Sequence, residues 1–154
     1  MVVVVYNYLK IYLKVKKLIV SSMFTRFKNQ KVTVEGISME PAFFNGQEIE
    51  LKNIFFKFSP KRFNIVKFKY GKLTKLKRII GLPLEIIEFN NNQVLINNIP
   101  LQDKFSVKNP IYAKQSFKIV KNEIFVLGDN RNYSNDSREF GTIKLNNVVS
   151  FLDF

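Results

Sequence analysis

From residue 31 to the C-terminus, apolar positions fall in short runs that alternate with polar ones and are separated by turn residues, the pattern of half-buried β-strands. It predicts strands at Val32-Thr33-Val34, Glu48-Ile49-Glu50-Leu51, Ile65-Val66-Lys67-Phe68 and Leu73 to Ile80. Glu85 to Phe89 and Gln93 to Asn97 flank Asn90-Asn91-Asn92 and read as a hairpin, because Asn tolerates the left-handed backbone of a tight turn. Residues 99–122 carry Pro100 and Pro110 with little periodicity and read as an excursion between strands. Phe117 to Val120, Glu123 to Leu127 and Asn147 to Leu152 complete the set. The expected fold is mainly β, an antiparallel core over residues 25–154.

Residues 1–24 follow a different rule. Asn7, Lys10, Lys14, Lys17 and Ser21 recur at steps of three and four, one polar stripe on an otherwise apolar helix that only Lys16 interrupts. Each lysine at a bilayer centre costs about 2.5–3.5 kcal/mol, so this is no clean span. It reads as an amphipathic helix associated with membrane lipid, or a poor span whose lysines snorkel to the headgroups. The apolar stretch precedes the lysines and no small-x-small site follows, which argues against a cleaved leader.

Composition narrows the chemistry more than the fold. The 154 residues, 46% hydrophobic, suit one domain with a real core. Cysteine and histidine are both absent, which excludes disulfides, cysteine-protease chemistry, Ser-His-Asp triads and the usual zinc sites, so neither a metal nor another cofactor is expected. The charge of +13 is scattered along the chain rather than clustered, so it gives little support to a nucleic-acid partner.

Three polar stretches stand out against this background. Val34-Glu35-Gly36-Ile37-Ser38-Met39-Glu40-Pro41 comes first and Lys75-Leu76-Lys77-Arg78-Ile79-Ile80-Gly81-Leu82-Pro83 second. The third, Gly128 to Gly141, places two Asp, two Arg and two Ser between glycines directly after a predicted strand. In this order they resemble the type I signal peptidases, whose segments run Gly/Ser-x-Ser-Met-x-Pro, Lys-Arg-x-x-Gly-x-Pro and Gly-Asp-Asn-x-x-x-Ser-x-Asp-Ser-Arg-x-x-Gly. The resemblance covers roughly residues 32–152 and every fixed position of the third segment. Two turn positions depart from it, Phe63-Asn64 and Leu84-Glu85 standing where the family often has Gly-Asp.

A serine hydroxyl needs a base to take its proton, and without histidine the choice is lysine or a carboxylate. A lysine near its ordinary value of about 10.4 is almost wholly charged at neutral pH, so burial must lower it by roughly two to three units. The resemblance implies Ser38 as nucleophile and Lys77 as general base, with Ser134 hydrogen-bonding Lys77 to orient it. The Ser38 amide would bind the oxyanion. Gly36 stands where some members place a second hydroxyl donor. Asp136, Arg138 and Arg78 resemble a structural charge cluster beneath the site, with Asp129 in the same corner. The implied protein is a membrane-associated endopeptidase acting on the signal peptides of exported preproteins with small residues before the cut, its catalytic domain on the outer (trans) side of the cell membrane. Two alternatives compete with it: a self-cleaving Ser/Lys repressor-type protease, and a non-enzymatic basic β module binding anionic lipid or nucleic acid.

Overall fold

The computed structural model describes residues 11–18, 29–54, 57–90, 93–107 and 113–154. Helix α1 (residues 11–18) is exposed throughout and falls within the predicted amphipathic segment, the rest of which, residues 1–10 and 19–24, lies outside the described residues. No helix among the described residues is long and apolar enough to cross a membrane.

Two antiparallel sheets make up the rest. The strands of the larger one are β1 (Gln30–Thr33), β2 (Glu48–Asn53), β3 (Ile65–Tyr70), β4 (Leu73–Gly81), β9 (Glu123–Leu127), β10 (Ile143–Lys144) and β11 (Val148–Leu152). They lie in the order β1-β2-β11-β3-β4-β9-β10. The smaller sheet, β7-β6-β5-β8, contains β5 (Ile86–Asn90), β6 (Gln93–Ile96), β7 (Ile99–Pro100) and β8 (Gln115–Lys118). The hairpin expected around the asparagines is β5–β6, with Asn90 opposite Gln93; Asn91 and Asn92 lie outside the described residues. The excursion is more ordered than its prolines suggested. Its ends are β7 and β8, which pair with β6 and β5, because Pro100 sits on an edge strand where its missing N–H is harmless. Strand β10 and helix α2 (Ser137–Phe140) were not foreseen, each being too short to show a period.

The placement of β4 organises the site. It pairs with β3 on one side and β9 on the other, with Arg78 opposite Leu127 and Ile79 opposite Val126. All of β5–β8 is therefore an insertion between neighbouring strands. The second half of β4 is buried on both faces: Ile79 packs with Val66, Phe68 and Val126, and Ile80 with Ile87, Phe89 and Phe125. A third cluster, Val34, Met39, Phe43, Ile49, Leu51 and Ile65, lies beneath the segment that follows β1. Both departures from the family pattern adopt the left-handed backbone that glycine normally supplies, Phe63 at φ 70° and Leu84 at φ 71°.

Candidate active site

Ser38 sits on a tight turn rather than on a strand. Glu40 N–H donates to the Ile37 carbonyl at 3.2 Å and Phe43 N–H to the Met39 carbonyl at 3.0 Å, while Met39, 1% exposed, anchors the turn in the third core cluster. The corner after β9 grips this turn from the other side. Asn130 N–H donates to the Ser38 carbonyl at 3.1 Å, and the Asn130 side-chain amide donates to the Ile37 carbonyl at 3.2 Å. Gly128 passes so close that an added methyl would overlap the Ser38 carbonyl oxygen and Ser134 Oγ.

Lys77 projects from β4 into this frame. It is 5% exposed, and its Nζ donates to Ser38 Oγ at 2.6 Å and to the Leu76 carbonyl at 3.1 Å. Burial lowers the amine from its ordinary 10.5 to about 8; the negative charge of Asp136 opposes this, the positive charge of Lys75 adds to it, and Asp129 opposes it more weakly. About one molecule in ten then carries a neutral amine at pH 7. Ser38 and Lys77 line a cleft of about 290 Å³ whose walls include Val34, Met39 and Leu76. Among the described residues the Ser38 amide donates to no protein acceptor.

The remaining predicted residues all gather around this pair, with two corrections. Arg78 does not pair with Asp136. Its guanidinium makes a bidentate bridge to Asp129, Nε to Oδ1 at 2.7 Å and Nη2 to Oδ2 at 2.6 Å, both side chains being fully buried. It also donates to the Phe63 carbonyl at 2.9 Å and packs over the rings of Phe105 and Phe154 at 3.8 and 4.6 Å. Asp136 instead holds Arg138, Nε to Oδ1 at 2.8 Å and Nη2 to Oδ2 at 2.9 Å, and accepts from Gly128 N–H at 3.0 Å. Arg78 enters from β4 and meets the strand end beside it; Asp136 caps α2 and meets the arginine in that helix.

The second correction concerns Ser134. Its hydroxyl is buried beside Gly128 and makes no hydrogen bond to Lys77 or to any other described group. The amine already has Ser38 Oγ and the Leu76 carbonyl as acceptors. Gly36 N–H donates to Asn45 Oδ1 at 2.8 Å and so is committed to the turn.

Sequence reasoning gave no role to Asn130, although its place beside Asp129 marked it, nor to the buried bridge of Arg131 to Asp103 at 2.6 Å. Asp103 lies in the stretch that read as featureless, so only the folded chain reveals it.

Antiparallel sheets that bring a serine hydroxyl onto a buried lysine amine, in a chain without histidine, have the makings of a lysine-dependent serine hydrolase. Comparison with known proteins takes this further. The model of the family described as signal peptidase, peptidase S26, matches residues 7–154, and the chain belongs to that family. It is 37% identical over 136 residues to signal peptidase I V of Bacillus subtilis, an alignment covering 77% of this chain and 80% of that one. It is 32% identical over 142 residues to signal peptidase IB of Staphylococcus aureus, covering 79% and 74%. A probable signal peptidase I-1 of Synechocystis is 29% identical over 123 residues, covering 73% of this chain and 63% of the relative. Among solved structures, a signal peptidase I from Enterococcus faecalis superposes with a TM-score of 0.55 at 30% identity, over 64% of this chain and all of that one. Membership favours the signal-peptide reading over the repressor-type protease and the basic binding module.

Proposed function

We propose that this chain is a membrane-associated serine endopeptidase that removes signal peptides from exported preproteins, with Ser38 as nucleophile and Lys77 as general base. The observation that carries the assignment is the 2.6 Å contact from a buried lysine amine to the serine hydroxyl. In its neutral form Lys77 accepts the Ser38 proton as Oγ attacks the scissile carbonyl. The uncommitted Ser38 amide is the donor available to the oxyanion. Protonated Lys77 then gives its proton to the leaving amine, and a water activated by the same amine hydrolyses the acyl-enzyme. The Arg78–Asp129 and Asp136–Arg138 bridges hold the corner, and Asn130 ties that corner to the nucleophile turn.

Val34, Met39 and Leu76 narrow the cleft beside Ser38, which supports a preference for small residues before the cut. The helix within residues 1–24 is the membrane-associating element and residues 25–154 the catalytic domain, placed on the outer side of the membrane as the family relation suggests. Incubation of the purified protein with a preprotein, with the cut located by mass spectrometry, tests the reading. Cleavage after a small residue at the end of the signal peptide is expected, with Ser38→Ala and Lys77→Ala both inactive. A folded Lys77→Ala that cleaves at the wild-type rate would refute it.

A further inference from the structure

Lys75 lies two residues before Lys77 on β4, lines the same cleft and is unused in the mechanism above. Its surroundings are unusual for a strand lysine. Its Nζ donates to Asn135 Oδ1 at 2.9 Å and stands 5.5 Å from the ring centroids of both Tyr70 and Phe140. Those two rings pack on each other at 4.6 Å, which fixes the cradle. An amide oxygen and two ring faces all attract a cation without cancelling its charge. Among the described residues Lys75 makes no ion pair.

Same-face neighbours on a strand are roughly 6.5–7 Å apart, inside the Debye length of about 8 Å at physiological salt. The other charges facing Lys77 are those of Asp129 and Asp136 from the corner, while Glu35 and Lys67 line the same cleft. Each of the two aspartates is already engaged by an arginine, Asp129 by Arg78 and Asp136 by Arg138, which weakens its pull on the amine.

We propose that Lys75 is a positioning residue for the dyad: pinned by Asn135, Tyr70 and Phe140, its uncancelled charge opposes a second positive charge on Lys77 and keeps the base ready to take the Ser38 proton. The inference rests on the assignment of Lys77 as base. It accords with the lowering that Lys75 contributes to the Lys77 amine. The same charge acts again in the next step, since it helps expel the proton from Lys77 to the leaving amine.

The test is the pH profile of kcat/KM on an uncharged signal-peptide substrate, from about pH 6 to about pH 10, which reports titration of the free enzyme. Lys75→Met is expected to move the midpoint of the rising limb upward by about half a unit to one unit, a loss of roughly three- to tenfold at neutral pH that disappears at alkaline pH. Lys75→Arg keeps the charge and is expected to restore the wild-type midpoint. Asn135→Asp retains Lys75 but sets a carboxylate against its amine; the midpoint should again rise, which keeps the test open if Lys75→Met fails to fold. A midpoint unmoved in folded Lys75→Met or Asn135→Asp, with any loss equal at all pH values, would overturn the proposal. Lys77→Ala separates the two levels. If it is inactive and the midpoints do not move, only the role of Lys75 falls; if it cleaves normally, the base assignment falls with it.

Discussion

Replacing Arg78 by methionine tests how the corner is held. The side chain is fully buried and has three jobs: two hydrogen bonds to Asp129, one to the Phe63 carbonyl, and packing over Phe105 and Phe154. Methionine retains much of the packing and can itself make favourable sulfur–aromatic contacts. The electrostatic loss remains. Asp129 is left as a buried carboxylate with its bidentate partner gone, a change that costs about 3–5 kcal/mol, and the Phe63 carbonyl loses a donor in a stretch already strained at φ 70°. These losses share atoms and do not add in full, so about 4 kcal/mol is expected. For a domain of this size that lowers Tm by roughly 8–16 °C at about 2–4 °C per kcal/mol. Thermal melts followed by circular dichroism would measure it, with the double variant Arg78→Met/Asp129→Asn as the control. The double variant removes the buried unpaired charge and should recover at least about 2 kcal/mol of the single variant's loss. Cleavage should also fall below the melting range, because Asp129 precedes the Asn130 that holds the Ile37 and Ser38 carbonyls. A single variant melting within about 2 °C of wild type, or a double variant no more stable than the single, would refute the reasoning.

Four further outcomes are expected. Because the Lys77 amine is lowered from 10.5 to about 8, the unfolded chain holds a proton that the native state has lost between those values; native stability therefore rises with pH across that window, by about 3 kcal/mol, and Lys77→Met, which lacks this dependence, should be inactive yet more stable than wild type at pH 7 by denaturant titration. Cleavage by the wild type should rise through the same midpoint near 8, and a flat profile from about pH 6 to about pH 10 would contradict the base role. Gly128→Ala places a methyl against the Ser38 carbonyl and Ser134 Oγ, and should reduce kcat by more than about tenfold by moving the corner off the nucleophile turn; unchanged kcat would show that the turn yields easily. Leu84 is 71% exposed at φ 71°, so Leu84→Gly relieves about 1–2 kcal/mol of backbone strain against about 0.5–1 kcal/mol of added chain entropy and should raise Tm slightly, whereas Phe63→Gly also forfeits the Phe63–Phe105 contact at 5.2 Å and should not.

Local pattern was enough for most of the strands, because alternation and turn residues are written into consecutive positions: Glu123–Leu127 appears with the expected bounds, and β2 to β6 lie within a few residues of theirs. The absence of histidine left lysine or a carboxylate as the base, and the family resemblance carried by the three polar stretches implied Ser38 and Lys77. Strand alternation also put Lys77 and Arg78 on opposite faces, and the fold gives them different partners, Ser38 and Asp129. What the sequence could not express is which partner each charge meets across elements. Arg78 finds Asp129 because β4 and β9 are adjacent in the sheet with Arg78 opposite Leu127, a register set by two core faces and a long insertion rather than by any local signal. Asp136 then takes the arginine of its own short helix. Ser134, which the resemblance implied as a partner for Lys77, stays apart because Gly128 brings its hydroxyl against the main chain and the amine is already engaged by Ser38 and the Leu76 carbonyl. Lys75 and Lys77 share a strand face and a residue type. The resemblance singles out Lys77, and packing supplies the physical difference: Asn135 and Phe140 of the corner and Tyr70 of β3 offer Lys75 an amide and two aromatic rings, and the nucleophile turn offers Lys77 a hydroxyl in a buried setting where a positive charge is poorly solvated.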